Sequence, residues 1–133
     1  MKRAFTIFLA AVLAAGFCCL SGCARYVSKY FAVAFVHSNE SDNAYMSFYT
    51  FKGTMVFKLK CKDAGQRIRY SAKLESGSAA VYTDCGDGKT ELLSVGAGDE
   101  TASVGGQIGK GTVYVIVETD GECTNGDFRF ELE

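Results

Sequence analysis

Six cysteines and a single histidine, His37, bound the chemistry open to this 133-residue chain. Structural zinc takes four nitrogen or sulfur ligands, usually with a C-x-x-C pair among them, and the chain has no such pair. Nucleophilic catalysis by serine or cysteine needs a base beside the nucleophile and a third group to orient that base. His37 is the one candidate base of this kind, and it borders the polar stretch Ser38 to Asn43, where a solvated side chain is expected. Two acidic loops, Asp84–Asp87 and Asp120–Asp127, could offer hard oxygens to calcium, which takes six to eight of them. Neither loop has the EF-hand spacing, so Asp84, Asp87, Asp120 and Asp127 read first as solvated turn residues and only second as calcium ligands. Paired carboxylates could also cleave glycosidic bonds, yet the acidic residues fall mainly in loops or at outward strand positions. Tyr45 and Tyr49 oppose Phe48 by parity, which makes them the aromatic rings that could face a ligand. No catalytic set emerges, so a non-enzymatic protein with no metal or other cofactor is expected.

The first 23 residues have a different character. Lys2 and Arg3 form a basic start, Ala4 to Leu20 an apolar run, and Leu20-Ser21-Gly22-Cys23 closes it. This is the layout of a secretory signal, and the apolar run falls short of the roughly 20 residues that span a bilayer. The last four residues resemble a bacterial lipobox. The resemblance implies that residues 1–22 are a cleaved signal peptide and that the Cys23 sulfur carries lipid (diacylglyceryl, with palmitate-type acyl chains). It implies a lipid-anchored protein on the extracytoplasmic face of a bacterial cell membrane or outer membrane. Ala24 lacks the aspartate that marks inner-membrane retention in families with outer-membrane sorting. Without the leader the chain keeps 12 Lys and Arg against 15 Asp and Glu, a formal charge of −3. Charges of both signs interleave, which argues against nucleic acid, since phosphate binding wants a basic stripe. No polybasic membrane patch is present either, so the lipid must supply the anchoring.

Behind Cys23 the pattern is that of strands. Residues 23–44 hold the lipidated N-terminus, a tether and a possible first strand over Phe31 to Val36; residues 45–133 hold the domain. Met55, Phe57, Leu59 and Cys61 alternate with Lys58, Lys60 and Lys62, as a half-buried antiparallel strand requires. Ile68, Tyr70, Ala72 and Leu74 alternate likewise with Arg67, Arg69 and Lys73. Thr112 to Glu118 is apolar enough to lie centrally, and Phe128, Phe130 and Leu132 give the last strand its inner face. Phe57, Tyr70 and Tyr114 are expected inside as well. Turns are expected at Lys52-Gly53, Ser76-Gly77-Ser78, Asp84 to Lys89 and Asp120 to Gly126. Six glycines between Gly96 and Gly111 favour a loop there over a spanning strand.

Seven to nine short strands with regular turns indicate an all-β antiparallel β-sandwich, jelly-roll-like, with a small open β-barrel as the alternative. Residues 45–133 also resemble the small β-sandwich domains of bacterial surface lipoproteins and of secreted-enzyme accessory modules. The likeness rests on Phe51-Lys52-Gly53-Thr54, Gly111 to Ile116 and Asn125 to Phe130, and it carries no shared activity. In an oxidising compartment Cys61, Cys85 and Cys123 are expected to form one disulfide. Strand direction favours Cys61–Cys123 if Gly96–Gly111 is a loop, and Cys61–Cys85 if it is a strand; a bridge would add about 2–4 kcal/mol. The function expected is a non-catalytic binding or envelope-structural module, with an envelope protein or a cell-wall glycan as partner. A small surface enzyme, an enzyme inhibitor or an edge-assembling subunit are the alternatives. Cys23→Ala should block processing and lipid attachment, scored by metabolic labelling with a fatty acid; a processed, membrane-bound mutant would refute the lipobox.

Overall fold

The computed structural model describes residues 26–133. The predicted leader, the lipobox and Cys23 lie outside the described residues. Those described form seven strands: β1 (Lys29–Val33), β2 (Val36–Asn39), β3 (Asn43–Cys61), β4 (Arg67–Asp84), β5 (Thr90–Val95), β6 (Glu100–Gln107) and β7 (Gly111–Leu132). All pair antiparallel. The last strand, β7, sits at the centre between β3 and β4; β1 and β2 share the outer edge of β3, and β5 and β6 share that of β4. The all-β antiparallel class expected from the alternation is the class found.

Strands β3, β4 and β7 run for 19, 18 and 22 residues, against the usual five or six or so. Straight, they would reach about 60–75 Å. Instead they bend together. Register shifts fall between Phe51 and Thr54 in β3 and between Ser76 and Ser78 in β4, both opposite the same stretch of β7. At that level stand Gly53, Gly77 and Gly121, with φ of +129°, +90° and +77°. A left-handed glycine inside a strand produces a bulge that turns the strand without reversing it.

The bend switches which parity faces inward. Ala44, Met46 and Phe48 are buried before it and Met55, Phe57, Leu59 and Cys61 after it, with Thr50 and Phe51 both buried at the corner. On β7 the switch runs from Val113, Val115 and Val117 to Phe128, Phe130 and Leu132. The single sheet thereby folds into two facing halves. One comprises β2, residues 43–50 of β3, 124–132 of β7, 67–76 of β4, and β6. The other comprises β1 and the remaining parts of β3, β7 and β4, with β5. Phe57 of one half meets Phe130 of the other at 6.1 Å between ring centres, and one apolar cluster fills the space between them. The result is a sandwich made from one sheet.

Several expectations are corrected. Lys52-Gly53, Ser76-Gly77-Ser78 and Asp120 to Gly126 are kinks within continuous strands, because pairing with a neighbouring strand resumes immediately before and after each of them. The glycine-rich segment contains a paired strand, β6, where the absent side chain of Gly105 leaves room for Leu92: a Cβ there would lie 2.9 Å from its Cδ1. Tyr114 points outward beneath Tyr26, their rings 5.4 Å apart, since Val113 and Val115 take the inner face.

The expected disulfide is also absent, with Cys61, Cys85 and Cys123 all free thiols. Cys61 pairs with Gly111 at the far end of β3, whereas Cys123 faces Phe51 at the corner, about 30 Å of strand away. Cys85, just past the end of β4, is separated from Cys61 by β7. Two strand spacings come to about 10 Å, beyond the roughly 4.4–6.8 Å between Cα atoms that a disulfide spans.

The corner tolerates little added volume. A Cβ on Gly77 would lie 2.7 Å from both Cys123 Sγ and the Glu122 carbonyl oxygen, whereas one on Gly121 meets nothing within 4 Å. Gly121→Ala should therefore cost only the left-handed backbone penalty of about 1–2 kcal/mol. Gly77→Ala adds overlap with buried neighbours and should cost about 2–5 kcal/mol in all. Urea denaturation of the two variants checks this; equal losses would contradict the packing at the corner.

Candidate functional site

Outward residues of the β2–β6 half fall into rows fixed by the register. One row runs Asn43, Glu131, Arg69, Val104 across β3, β7, β4 and β6, and the next runs Tyr45, Arg129, Ser71, Ala102. Together they line a groove of about 560 Å³. Tyr45 is half-buried, and the guanidinium carbon of Arg129 lies 5.7 Å from its ring centre. Arg129 Nε donates to Asp127 at 3.0 Å, two residues back on the same face. Arg69 Nε donates to Glu133 at 2.8 Å. These hydrogen bonds, with the adjacent negative charge, raise both guanidinium pKa values.

Such exposed pairs contribute little stability, typically under about 1 kcal/mol. Their effect is to orient two forked donors along an aromatic floor. A guanidinium carries five N–H donors, while Glu131, Asn43 and Ser71 bring acceptors into the same groove. The arrangement suits a polar ligand with an apolar face.

The other expected ligand contact, Tyr49, lies elsewhere. It is 58% exposed and sits four residues along β3, beside Val33 and Val36 at the sheet edge. Sequence reasoning thus found one wall of the groove and missed Arg69, Arg129, Asn43 and Glu131. Parity marked Arg69 as outward, but nothing local showed that β7 would lie beside both β3 and β4. His37 is exposed on β2 and packs against Phe35, ring centres 4.8 Å apart.

A second depression, about 520 Å³, lies on the outer face of the other half among Ser78, Tyr82, Ser94, Asp99, Glu118 and Asp120. Lys89 covers Tyr82 at 4.2 Å from the ring centre and pairs with Glu118 at 2.5 Å. That contact occupies the aromatic face.

Of the calcium candidates, Asp84 is not a solvated turn residue but 1% exposed. Its Oδ1 accepts from the Gly86 and Gly88 amides at 2.7 and 3.3 Å, and its Oδ2 accepts from the Tyr26 hydroxyl at 2.6 Å. The carboxylate shapes the β4–β5 hairpin and fastens the N-terminal segment to it. Asp87 is exposed in that hairpin, Asp120 lies at the corner, and Asp127 serves Arg129. Among the described residues, no three His, Cys, Asp or Glu side chains group as a cation site.

Comparison with known proteins yields no matching family model and no matching curated protein. Among solved structures, the periplasmic g-type lysozyme inhibitor PliG of Aeromonas hydrophila is similar, at 14% identity and a TM-score of 0.49, over 70% of this chain and 88% of that one. The carbohydrate-binding module TmCBM61, solved with β-1,4-galactotriose, gives 13%, 0.48, 80% and 87% in the same measures. The pre-peptidase C-terminal domain of Bacillus anthracis collagenase gives 14%, 0.48, 72% and 91%. At these levels the likeness assigns neither family nor ligand.

Beside Asp84, Cys85 is exposed at the hairpin. Partial desolvation, then the Asp84 and Asp87 carboxylates, push its thiol above the ordinary value of 9.0. The neutral thiol is a poor nucleophile. Alkylation of Cys85 by iodoacetamide should therefore still be accelerating above pH 9, and Asp87→Asn should shift the profile down. A plateau reached below pH 8.5 or so would contradict this environment.

Proposed function

We propose that this chain is a lipid-anchored, non-catalytic module that binds a cell-envelope glycan in the Tyr45–Arg129 groove, on the extracytoplasmic side of the membrane that holds Cys23. The observation that carries the reading is the groove itself: an aromatic ring beside two carboxylate-oriented arginines, with amide, hydroxyl and carboxylate groups along its walls. Pyranose rings pair a C–H face, which packs on an aromatic ring, with a rim of hydroxyls that need both donors and acceptors. Pockets that fix a ligand combine apolar contact with a few placed polar groups in this way.

The anchor assigned to Cys23 supports the same reading, because it would hold the groove within reach of wall polymers. The mature charge of −3 and the interleaved signs favour a neutral or zwitterionic sugar over a highly charged polymer. The groove walls do not assemble a nucleophile and its base.

The test is retention of the detergent-solubilised full chain on peptidoglycan and envelope polysaccharide, followed by titration with soluble oligosaccharide fragments. Tyr45→Ala and Arg129→Ala should each weaken binding by tenfold or more, the loss typical of central contacts at about 1.4 kcal/mol and above. Tyr82→Ala, on the other face, should bind as wild type. Retention of no glycan, or equal binding by all three variants, would overturn the proposal.

A further inference from the structure

Seven large hydrophobic residues are exposed among those described, and six of them, Val27, Tyr30, Phe31, Val33, Val36 and Tyr49, cluster at one edge of the sheet. Val104, on β6, is the seventh. Soluble surfaces scatter such residues singly, and a contiguous group marks a contact. The group has a simple origin in the strand pairing. On β1, Ala32 packs on the core, and Tyr30, though 41% exposed, stacks its ring on Phe51 at 5.1 Å. The alternation then commits Lys29, Phe31 and Val33 to the outer side, with exposures of 67% and 46% for the last two. Lys52, the cross-strand partner of Phe31, adds a second cation at the same place.

The chain itself says what this edge must face. Only three peptide units separate Cys23 from Tyr26, a reach of at most about 11 Å. Tyr26 is fastened to the sheet by its 2.6 Å hydrogen bond to buried Asp84, so little slack remains before β1. Val27, 71% exposed, is four residues from the acylated position.

We propose that the β1–β2 edge, with Phe31, Val33 and Val36 exposed beside Lys29 and Lys52, is a bilayer-contact surface that seats against lipid headgroups and fixes the orientation of the domain. The inference rests on the reading of Cys23 as a lipid anchor. Apolar side chains enter the headgroup–acyl boundary to a depth of about 5–10 Å, and lysines beside them meet anionic lipid. Two lysines add little affinity to an anchor of several acyl chains, so their contribution is orientation. Seated in this way, the domain turns β6 and the far wall of the groove away from the membrane.

The chain contains no tryptophan, so a single introduced indole reports its own surroundings. The lipidated full chain would be reconstituted into vesicles of phosphatidylethanolamine and phosphatidylglycerol, carrying Phe31→Trp or, as the reference at the opposite edge, Val104→Trp. Flotation with vesicles, compared with Cys23→Ala, scores the anchor. Quenching by lipids brominated near the acyl boundary scores the contact. Flotation with a blue-shifted Phe31→Trp that loses roughly half its emission or more to brominated lipid, and an unaffected Val104→Trp, is the result expected. Flotation with an unquenched Phe31→Trp overturns the contact and leaves the anchor standing. A blue shift insensitive to brominated lipid, with cross-linked dimers, would give the edge to a second copy and also overturn it. Failure of the unmutated chain to float overturns the anchor, and with it the contact.

Discussion

A sheet can bury its own apolar face only if all its long strands bend at one level, and here that requirement falls on the contact between Gly77 and Cys123. Three left-handed glycines, Gly53, Gly77 and Gly121, line up across β3, β4 and β7. At two of them backbone from a neighbouring strand occupies the space where a Cβ would stand: the Lys29 carbonyl at Gly53, and Glu122 with Cys123 at Gly77. Cys123 is fully buried there and donates through Sγ to the Ser78 carbonyl at 3.3 Å. Burial raises its thiol pKa, partly opposed by the Ser78 backbone. A neutral cysteine in this place is a small apolar filler, which is the usual lot of a buried one.

The two outer faces follow from that bend. Because parity switches at the corner, each central strand offers two short outward rows instead of one long one. The row set carrying Tyr45, Arg129 and Arg69 stays open. The set on the other half is partly taken by its own side chains, with Lys89 over Tyr82 and Tyr26 over Tyr114. Ile116 is 1% exposed although it faces outward between Val56 and Tyr82. One face is largely covered by its own side chains, and the other stays open.

What could be seen in the sequence was whatever depends on near neighbours. Alternation from Met55 to Cys61 and from Arg67 to Leu74 gave the inner faces correctly, because the period of two is local. Ser76-Gly77-Ser78 was misleading for a physical reason: the same three residues suit a reversal or a bulge, and the choice is made by partners forty or more positions away, such as Thr124 and Asp120. The glycines after Val95 hid β6 in the same way. The groove depends on the order β3–β7–β4–β6, so Tyr45 could be proposed from parity while Arg129 could not be placed beside it. The cysteine pairing failed with the strand count on which it rested.

The bond between Tyr26 and Asp84 has a mechanical consequence. Tension on the chain ahead of Tyr26 meets Asp84 on β4 as well as the five-residue edge strand β1. Load on an edge strand alone peels its hydrogen bonds one at a time. The cross-sheet hydroxyl divides that load, passing part of it to a strand paired along most of its length with β7. The first point to yield under force is then a buried carboxylate contact, ahead of any unzipping of the edge strand from its end.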